Sequence, residues 1–222
     1  MKPINVYLIR HGQTTFNIYH RMQGWVNSPL TDKGIMDAEN TGKLLQNIEF
    51  SNAYSSDITR AIKTAKIIME KNKSITNKKI HLKPKINFRE QYYGFFEGEN
   101  TEIVWKMVGM SKKLLTLNEL MKHFSLDDIQ NLMHNVDPSH CAETSEDFWK
   151  RINNGFKLIK EENNPGDNVL LVSHSMAIRN IVEKFGNNKF DVSVNPHNGS
   201  VTKLLLMPDK IKIEYYNHID NI

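Results

Sequence analysis

The chain contains very little cysteine, and this scarcity argues against two kinds of site. Cys141 is the single cysteine, so it has no partner for an internal disulfide and no companions for a zinc-binding cluster. No apolar stretch approaches the roughly 20 residues that a membrane helix needs, which argues against a membrane protein. The N-terminal segment also lacks the apolar core of a signal peptide. We therefore expect a cytoplasmic protein with no membrane partner.

Long basic runs are also missing, although basic residues are in slight excess. The 29 Lys and Arg residues against 25 Asp and Glu residues give a formal net charge of +4 with histidine neutral. No basic run exceeds two residues, whereas a nucleic-acid-binding arm usually contains a longer block. We therefore expect no nucleic-acid partner. A small phosphorylated substrate is sufficient to explain a modest cationic excess.

Length and hydrophobic periodicity indicate one α/β domain over residues 1–222. Apolar runs at 6–9 and 169–172 predict buried strands, and each is followed by a segment of helical spacing. The last part of the chain predicts a β-hairpin around Pro208-Asp209. A helical stretch without strand signals lies between these parts, and it predicts a cap inserted at roughly 100–164.

Two histidines directly follow these predicted strands. His11 comes after the run at 6–9, and His174 comes after the run at 169–172. Ligands of open α/β sheets bind at the carboxyl ends of the strands, where helix N-termini present backbone donors. Arg10 adds a permanently charged fork whose geometry suits a phosphate. The pattern predicts a site for phosphoryl transfer.

Four separated motifs extend this interpretation. They are Leu8-Ile9-Arg10-His11-Gly12-Gln13-Thr14, Ser55-Ser56-Asp57-x-x-Arg60-Ala61, Phe88-Arg89-Glu90 followed by Tyr93-Gly94-x-x-Glu97-Gly98, and Val172-Ser173-His174. In this order the motifs resemble the histidine phosphatase (phosphoglycerate mutase-like) superfamily. The resemblance covers roughly the first hundred residues and positions 165–202. It implies a three-layer α/β/α sandwich with a mostly parallel central sheet, and a phosphohistidine on His11.

The residue types also suit this chemistry by themselves. A neutral imidazole of His11 can attack phosphorus, because an ordinary histidine pKa near ~6.5 leaves much of it unprotonated at neutral pH. Arg10, Arg60 and His174 can stabilise charge on the transferring group, so we expect neither a metal nor another cofactor. Glu90 stands beside aromatic residues that can desolvate it, and it is the candidate general acid and base.

Further substrate-binding positions are assigned by the resemblance. Asn17, Gln23 and Gly24 match phosphate-contacting positions of the family, although the first two are also ordinary loop residues. Ser175 begins a predicted helix and can donate its amide to an anion, where many family members carry glycine instead. Glu97 is the alternative to Glu90 as the acid, because the preference between them comes mainly from the family pattern.

The predicted function is hydrolysis of a phosphorylated metabolite by a phosphomonoesterase of the phosphatase-type branch. The alternative is a cofactor-dependent phosphoglycerate mutase, but the true mutases of the family carry an insertion with paired arginines that is missing between Glu99 and Ser139. Lys112 and Lys113 are weak candidates for a mutase's second anion site. A third possibility is a catalytically silent binding domain on the same fold. The sequence carries no signal for the natural substrate or the oligomeric state.

Overall fold

The computed structural model describes residues 2–220. Its strands are β1 (Ile4–Arg10), β2 (Phe50–Ser56), β3 (Leu82–Lys85), β4 (Asn168–Ser173), β5 (Val201–Leu206) and β6 (Ile211–His218). Its helices are α1 (Thr15–Ile18), α2 (Asp32–Leu44), α3 (Thr59–Lys71), α4 (Lys73–Lys78), α5 (Thr101–Gly109), α6 (Leu117–Met121), α7 (Leu126–Val136), α8 (Ser145–Glu162) and α9 (Ser175–Phe185). No helix within this part of the chain combines the length and apolar character needed to cross a bilayer.

The six strands form one sheet in the order β3-β2-β4-β1-β5-β6. The first four strands are parallel, and β5 pairs antiparallel with β1 before the hairpin to β6. Register places Arg10 of β1 opposite Ser173 of β4. The residues that follow these two strands, His11 and His174, therefore leave the sheet side by side.

Side-chain alternation in β1 builds the two faces of the sheet. Val6 and Leu8 point to a core that they share with α8 and α9, whereas Tyr7 and Ile9 point to a core shared with α2 and α3. Successive side chains of a strand lie on opposite faces, so a continuous apolar run requires cover on both sides. The fold is the predicted three-layer α/β/α sandwich with a mostly parallel central sheet.

The inserted helices α5, α6 and α7 have a hydrophobic core of their own. Its members include Val104 and Trp105 of α5 and Ile129 of α7, and it reaches the main domain through Tyr93 and Met176. Helix α8, which the predicted cap range of 100–164 includes, packs on the sheet instead. The overhanging cap therefore consists of α5 to α7, and α8 returns the chain to the outer layer.

Two glycines allow α2 to pack against the loop that follows β1. A Cβ atom on Gly12 would lie 2.1 Å from the carbonyl oxygen of Gly34, and a Cβ on Gly34 would lie 2.0 Å from that of Gln13. The buried face of α2 is accordingly made of small residues such as Ala38. The helical spacing of Ile35 and Ala38 predicts that both are buried, but Ile35 is 42% exposed. This close approach holds the backbone around His11 against the first residues of α2.

Candidate active site

A cavity of about 160 Å³ opens between the carboxyl edge of the sheet and the cap. Arg10, His11 and Glu90 line its sheet side, and Trp105 and Leu117 line its cap side. A neighbouring cavity of about 490 Å³ shares Arg10 with it but is lined by neither His11 nor Glu90. The smaller cavity is therefore the one that the predicted nucleophile and the predicted acid line, while Arg60 and His174 are buried beside it and do not line it.

Hydrogen bonds define the state of the His11 ring. Its Nδ1 lies 2.8 Å from the carbonyl oxygen of Gly12, which can only accept, so Nδ1 carries the proton. Nε2 then holds the lone pair, and the Nε of Arg60 donates to it at 3.2 Å. Burial, with further contributions from Arg60 and Arg10, lowers the pKa of His11 well below its ordinary value. The arrangement supplies a neutral imidazole with an unprotonated Nε2.

Arg60 connects this imidazole to the loop at 23–26. Its guanidinium donates to the carbonyls of Val26 at 2.8 Å, Gln23 at 3.1 Å and Gly24 at 2.7 Å. The side chain is 1% exposed, and burial lowers its pKa to about 10. Arg60 therefore remains a cation at neutral pH, and the loop carbonyls fix its orientation beside His11.

Arg10 and His174 carry unpaired donors next to His11. The His174 ring lies 5.1 Å from the His11 ring, centroid to centroid, and neither of its nitrogens has a hydrogen-bond partner within residues 2–220. The Nε of Arg10 is buried without a partner as well, while its Nη1 donates to Pro196. Burial lowers the pKa of His174 well below its usual range. Unsatisfied buried groups are costly, and several at one point fit a ligand rich in acceptors, such as a phosphoryl group.

Glu90 lies across the start of α9. Its Oε2 accepts from the Met176 amide at 2.9 Å, and its Oε1 accepts from the amides of Ala177 at 2.8 Å and Gln91 at 3.0 Å. These bonds favour the ionised form, but the side chain is only 4% exposed, and burial raises the pKa of Glu90 overall. The predicted effect of desolvation on this carboxyl group is thus confirmed in direction, and the group can hold a proton at the cavity wall.

A buried ion pair positions the backbone of the loop that carries Glu90. Arg151 of α8 makes a two-pronged contact with Glu143, with its Nε and Nη2 at 2.6 and 2.7 Å from the two carboxylate oxygens. The same guanidinium donates to the carbonyls of Asn87, Arg89 and Glu90 at 3.1, 2.8 and 2.9 Å. Glu143 therefore acts as the ion-pair partner that holds the Arg151 guanidinium against this loop.

Glu97, the alternative acid, is engaged with backbone amides. Its two oxygens accept from the three consecutive amides of residues 24–26, at 2.8 to 3.1 Å, and from Tyr93 at 3.1 Å. Glu97 does not line the cavity. These bonds also bear on Gly24, which was predicted to contact substrate: its amide donates to Glu97 and its carbonyl accepts from Arg60, so its backbone amide is not available to a ligand.

The other three predicted substrate-binding residues do line the cavity. Asn17 accepts from the Thr14 amide through Oδ1 at 3.1 Å, which directs its amide nitrogen elsewhere. The Gln23 side chain accepts from the Thr14 hydroxyl at 2.7 Å through Oε1 and donates to the Ser28 hydroxyl at 2.9 Å through Nε2. The Ser175 hydroxyl donates to Asn195. Asn17 is therefore the member of this set with the most evident free donor.

Sequence reasoning missed two charged residues of the cavity wall, the exposed Arg21 and the buried Arg179. The sequence feature that could have identified Arg179 is that it is the single charged residue in the largely apolar stretch Met176-Ala177-Ile178-Arg179-Asn180-Ile181-Val182. Lys112 and Lys113, by contrast, are exposed and lie outside the cavity. Over residues 2–220, no group of three His, Cys, Asp or Glu side chains is placed to hold a metal ion.

Known proteins resemble the chain over most of its length. A model of the Histidine phosphatase superfamily (branch 1) matches residues 6–219. A solved structure of phosphoglycerate mutase from Bacillus anthracis str. Sterne superposes with a TM-score of 0.89 at 35% identity, covering 98% of this chain and 94% of that one.

Curated relatives include both mutases and a phosphatase. The 2,3-bisphosphoglycerate-dependent phosphoglycerate mutase of Buchnera aphidicola subsp. Cinara cedri is 30% identical over 207 residues, which cover 84% of this chain and 86% of the relative. Fructose-2,6-bisphosphatase TIGAR of Xenopus laevis is 37% identical over 92 residues, or 41% of this chain and 33% of the relative. The similarity to the second protein thus concerns a third of its length.

Proposed function

Because the chain belongs to the histidine phosphatase superfamily (branch 1), we propose that it hydrolyses a small phosphomonoester through a phosphohistidine on His11. The observation that carries the proposal is the ring state of His11. Nδ1 is committed as a donor to Gly12, so Nε2 carries the lone pair, which accepts from the Arg60 Nε–H beside a cluster of cationic and unpaired donors. During attack this N–H turns to a phosphoryl oxygen, which frees the lone pair of Nε2. A nucleophile and a phosphoryl-binding group in contact are the two parts that covalent phosphoryl transfer requires.

In the first step, Nε2 of His11 forms a bond to phosphorus while the bond from phosphorus to the ester oxygen breaks. Arg10 and Arg60 balance the charge on the equatorial oxygens, and His174 offers a further ring nitrogen to the same group. The departing oxygen takes the proton that Glu90 holds. The raised pKa of Glu90 supports this role, because a carboxylic acid must be protonated before it can donate.

In the second step, Glu90 returns as a base. Its carboxylate takes a proton from water, whose oxygen attacks phosphorus and breaks the bond to Nε2. Inorganic phosphate leaves, and the imidazole of His11 and the acid form of Glu90 are restored. The amides of Met176 and Ala177 hold the carboxylate in place while it is ionised between the two steps.

A phosphoglycerate mutase is the second candidate, and the similarity to named mutases favours it. A mutase must hold the dephosphorylated acceptor and return the phosphoryl group to it before water reacts. The cap contributes no arginine to the cavity, and its adjacent lysines, Lys112 and Lys113, are exposed outside it. Hydrolysis needs no group that retains the dephosphorylated acceptor, whereas a mutase does, and the cap offers no arginine for that purpose; we therefore place hydrolysis first. A cation on α9 that lines the same cavity can strengthen substrate binding in either reaction.

The two functions differ in their products. With 3-phosphoglycerate and a catalytic amount of 2,3-bisphosphoglycerate, phosphorus NMR distinguishes released phosphate from 2-phosphoglycerate. We expect phosphate from this or another phosphomonoester of a metabolite panel, and sustained activity in excess chelator, because Arg10 and Arg60 provide the cationic charge. Predominant 2-phosphoglycerate formation would establish the mutase instead.

His11→Ala is the matched variant for this test. We expect it to abolish turnover together with the acid-labile label that substrate labelled in phosphorus leaves on the protein. Labelling that persists in His11→Ala would assign the nucleophile to another residue and overturn the proposed mechanism.

A further inference from the structure

Arg179 is a buried cation that the proposed reaction does not use. It belongs to α9, is 3% exposed and lines the same cavity as His11 and Glu90. Burial lowers the pKa of its guanidinium. A buried charge is normally paired with an opposite charge or satisfied by oxygen acceptors, because removing it from water is costly.

The contacts of Arg179 leave its charge largely unsatisfied. Nε donates to the Val192 carbonyl at 2.7 Å, but Nη1 and Nη2 are directed at the sulfur atoms of Met176, at 3.2 Å, and Met121, at 2.8 Å. A thioether is a weak acceptor, and a guanidinium has five N–H donors. No carboxylate of residues 2–220 lies within ion-pair distance of this side chain.

Other arginines of the domain show what satisfied partners look like. Arg89 pairs with Asp57, Arg151 pairs with Glu143, and the Arg60 guanidinium donates to three carbonyls and His11. A purely structural role therefore has clear solutions elsewhere in this chain. Arg179 instead has the features of a ligand-binding residue. It is a desolvated cation at a cavity wall, one carbonyl holds its Nε, and its remaining donors have only weak acceptors.

The position of Arg179 indicates which part of a ligand it meets. It follows Met176 by three residues on α9, a rise of about 4.5 Å, and the Met176 amide donates to Glu90. Arg179 is thus on the Glu90 side of the site, where the leaving oxygen departs, and it contacts the cap through Met121. We propose that Arg179 binds a second anionic group on the leaving portion of the substrate, making a phosphomonoester with such a group the preferred class.

This inference rests on the proposed function for the orientation of the substrate, but it can be tested without turnover. Calorimetry on His11→Ala compares binding of 3-phosphoglycerate and glycerol 3-phosphate, which differ in a carboxylate against a hydroxymethyl group. Charge-assisted hydrogen bonds of about 1.5 to 3 kcal/mol correspond to a preference of roughly 10- to 150-fold for the carboxylate. 1,3-Propanediol bisphosphate shows whether a second phosphate replaces it.

The decisive comparison adds Arg179→Met or Arg179→Lys to His11→Ala. We expect Arg179→Met to reduce the preference to within about 2-fold while glycerol 3-phosphate binding changes little, and Arg179→Lys to restore part of it. Arg21→Met removes an exposed charge from the same cavity wall and is the control, for which the preference should persist.

Outcomes for the two proposals are separable. A carboxylate preference that depends on Arg179 supports the inference even if the wild-type protein releases no phosphate, a result that would count against hydrolysis alone. Two results would overturn the inference and assign Arg179 a structural role. One is that Arg179→Met weakens the binding of 3-phosphoglycerate and of glycerol 3-phosphate equally, and the other is that His11→Ala alone shows no preference for the carboxylate. Thermal unfolding of each variant identifies loss of the fold, and in that case Arg179→Lys, which keeps the charge, decides the question.

Discussion

At the scale of single residues, burial has opposite effects on the two groups that the proposed reaction needs. It lowers the pKa of His11, whose charged form is a cation, and raises the pKa of Glu90, whose charged form is an anion. Burial beside one cavity therefore shifts the nucleophile toward its unprotonated form and the acid toward its protonated form. Pairs of titratable groups whose protonation is separated in this way are typical of acid–base assignments at active sites.

Replacement of Glu90 by glutamine tests this division. Glu90→Gln retains the shape but removes the transferable proton, so hydrolysis of alkyl phosphates should fall by about 10² to 10⁴, and aryl phosphates should lose less because their leaving groups need less protonation. The measurement is kcat/KM for both ester types across pH. The ratio between ester types is the informative quantity, and equal losses would make Glu90 a positioning residue.

Glu97→Gln is the matched control for that experiment. Glu97 accepts four backbone amides outside the cavity, so its amide variant should lower stability and should leave the ratio between alkyl and aryl esters within about 3-fold of the wild type. A selective loss on alkyl esters in Glu97→Gln would transfer the acid role to this carboxylate.

At the scale of elements, α8 positions the loop that carries Glu90, although the helix itself packs on a face of the sheet. Thr144 caps its N-terminus by accepting from the Asp147 amide. Arg151, which follows on the same helix, donates to three carbonyls of the loop before α5. Ser173 at the end of β4 donates to the Phe88 carbonyl of the same loop at 2.8 Å. The loop therefore takes its position from one helix and one strand rather than from its own sequence.

The Arg151 pair should be a large single contribution to stability. Arg151→Met leaves Glu143, whose side chain is 8% exposed, without its partner, and we expect a loss of about 3 to 5 kcal/mol in the free energy of unfolding. Arg151→Met combined with Glu143→Leu should recover a substantial part, because no uncompensated charge remains. Urea unfolding of the two single variants and the double variant measures the coupling, and additive losses would contradict it.

At the scale of the whole molecule, the cost of burying neutral histidines should appear in the pH dependence of folding. The pKa values of His11 and His174 lie well below the unfolded value near 6.5. The unfolded state then binds more protons as pH falls below that value, so stability decreases toward acid and is regained as pH rises. Glu90 acts oppositely, because its raised pKa makes the folded state bind more protons above 4.5.

We therefore expect the free energy of unfolding to rise between pH 5 and pH 7, with each buried histidine contributing at most about 1.4 kcal/mol per pH unit. His174→Gln should flatten this slope, and replacement of the exposed His81 by glutamine should leave it unchanged. Denaturant unfolding at several pH values provides the measurement. An unchanged slope in His174→Gln would show that this imidazole is not held neutral by the fold.

Sequence patterns alone were enough to predict the layers, the position of the two histidines at the sheet edge and the family. These features depend on local periodicity and on motifs whose residues are close along the chain, such as Arg10-His11-Gly12. Strand alternation and the parallel arrangement then leave little choice about which ends meet.

Contacts between residues distant in sequence, by contrast, settle which donors face the cavity and which are already engaged. Glu90 accepts from an amide of α9 that is 86 positions away in sequence, and Glu97 accepts from the Gly24 amide 73 positions away. Within residues 2–220, the Arg179 guanidinium is packed against two methionine sulfurs and not against an anionic group. The residue type determines which hydrogen bonds a side chain can donate or accept. Whether that capacity is spent on the protein or remains for a ligand depends on long-range packing, which local sequence patterns do not encode.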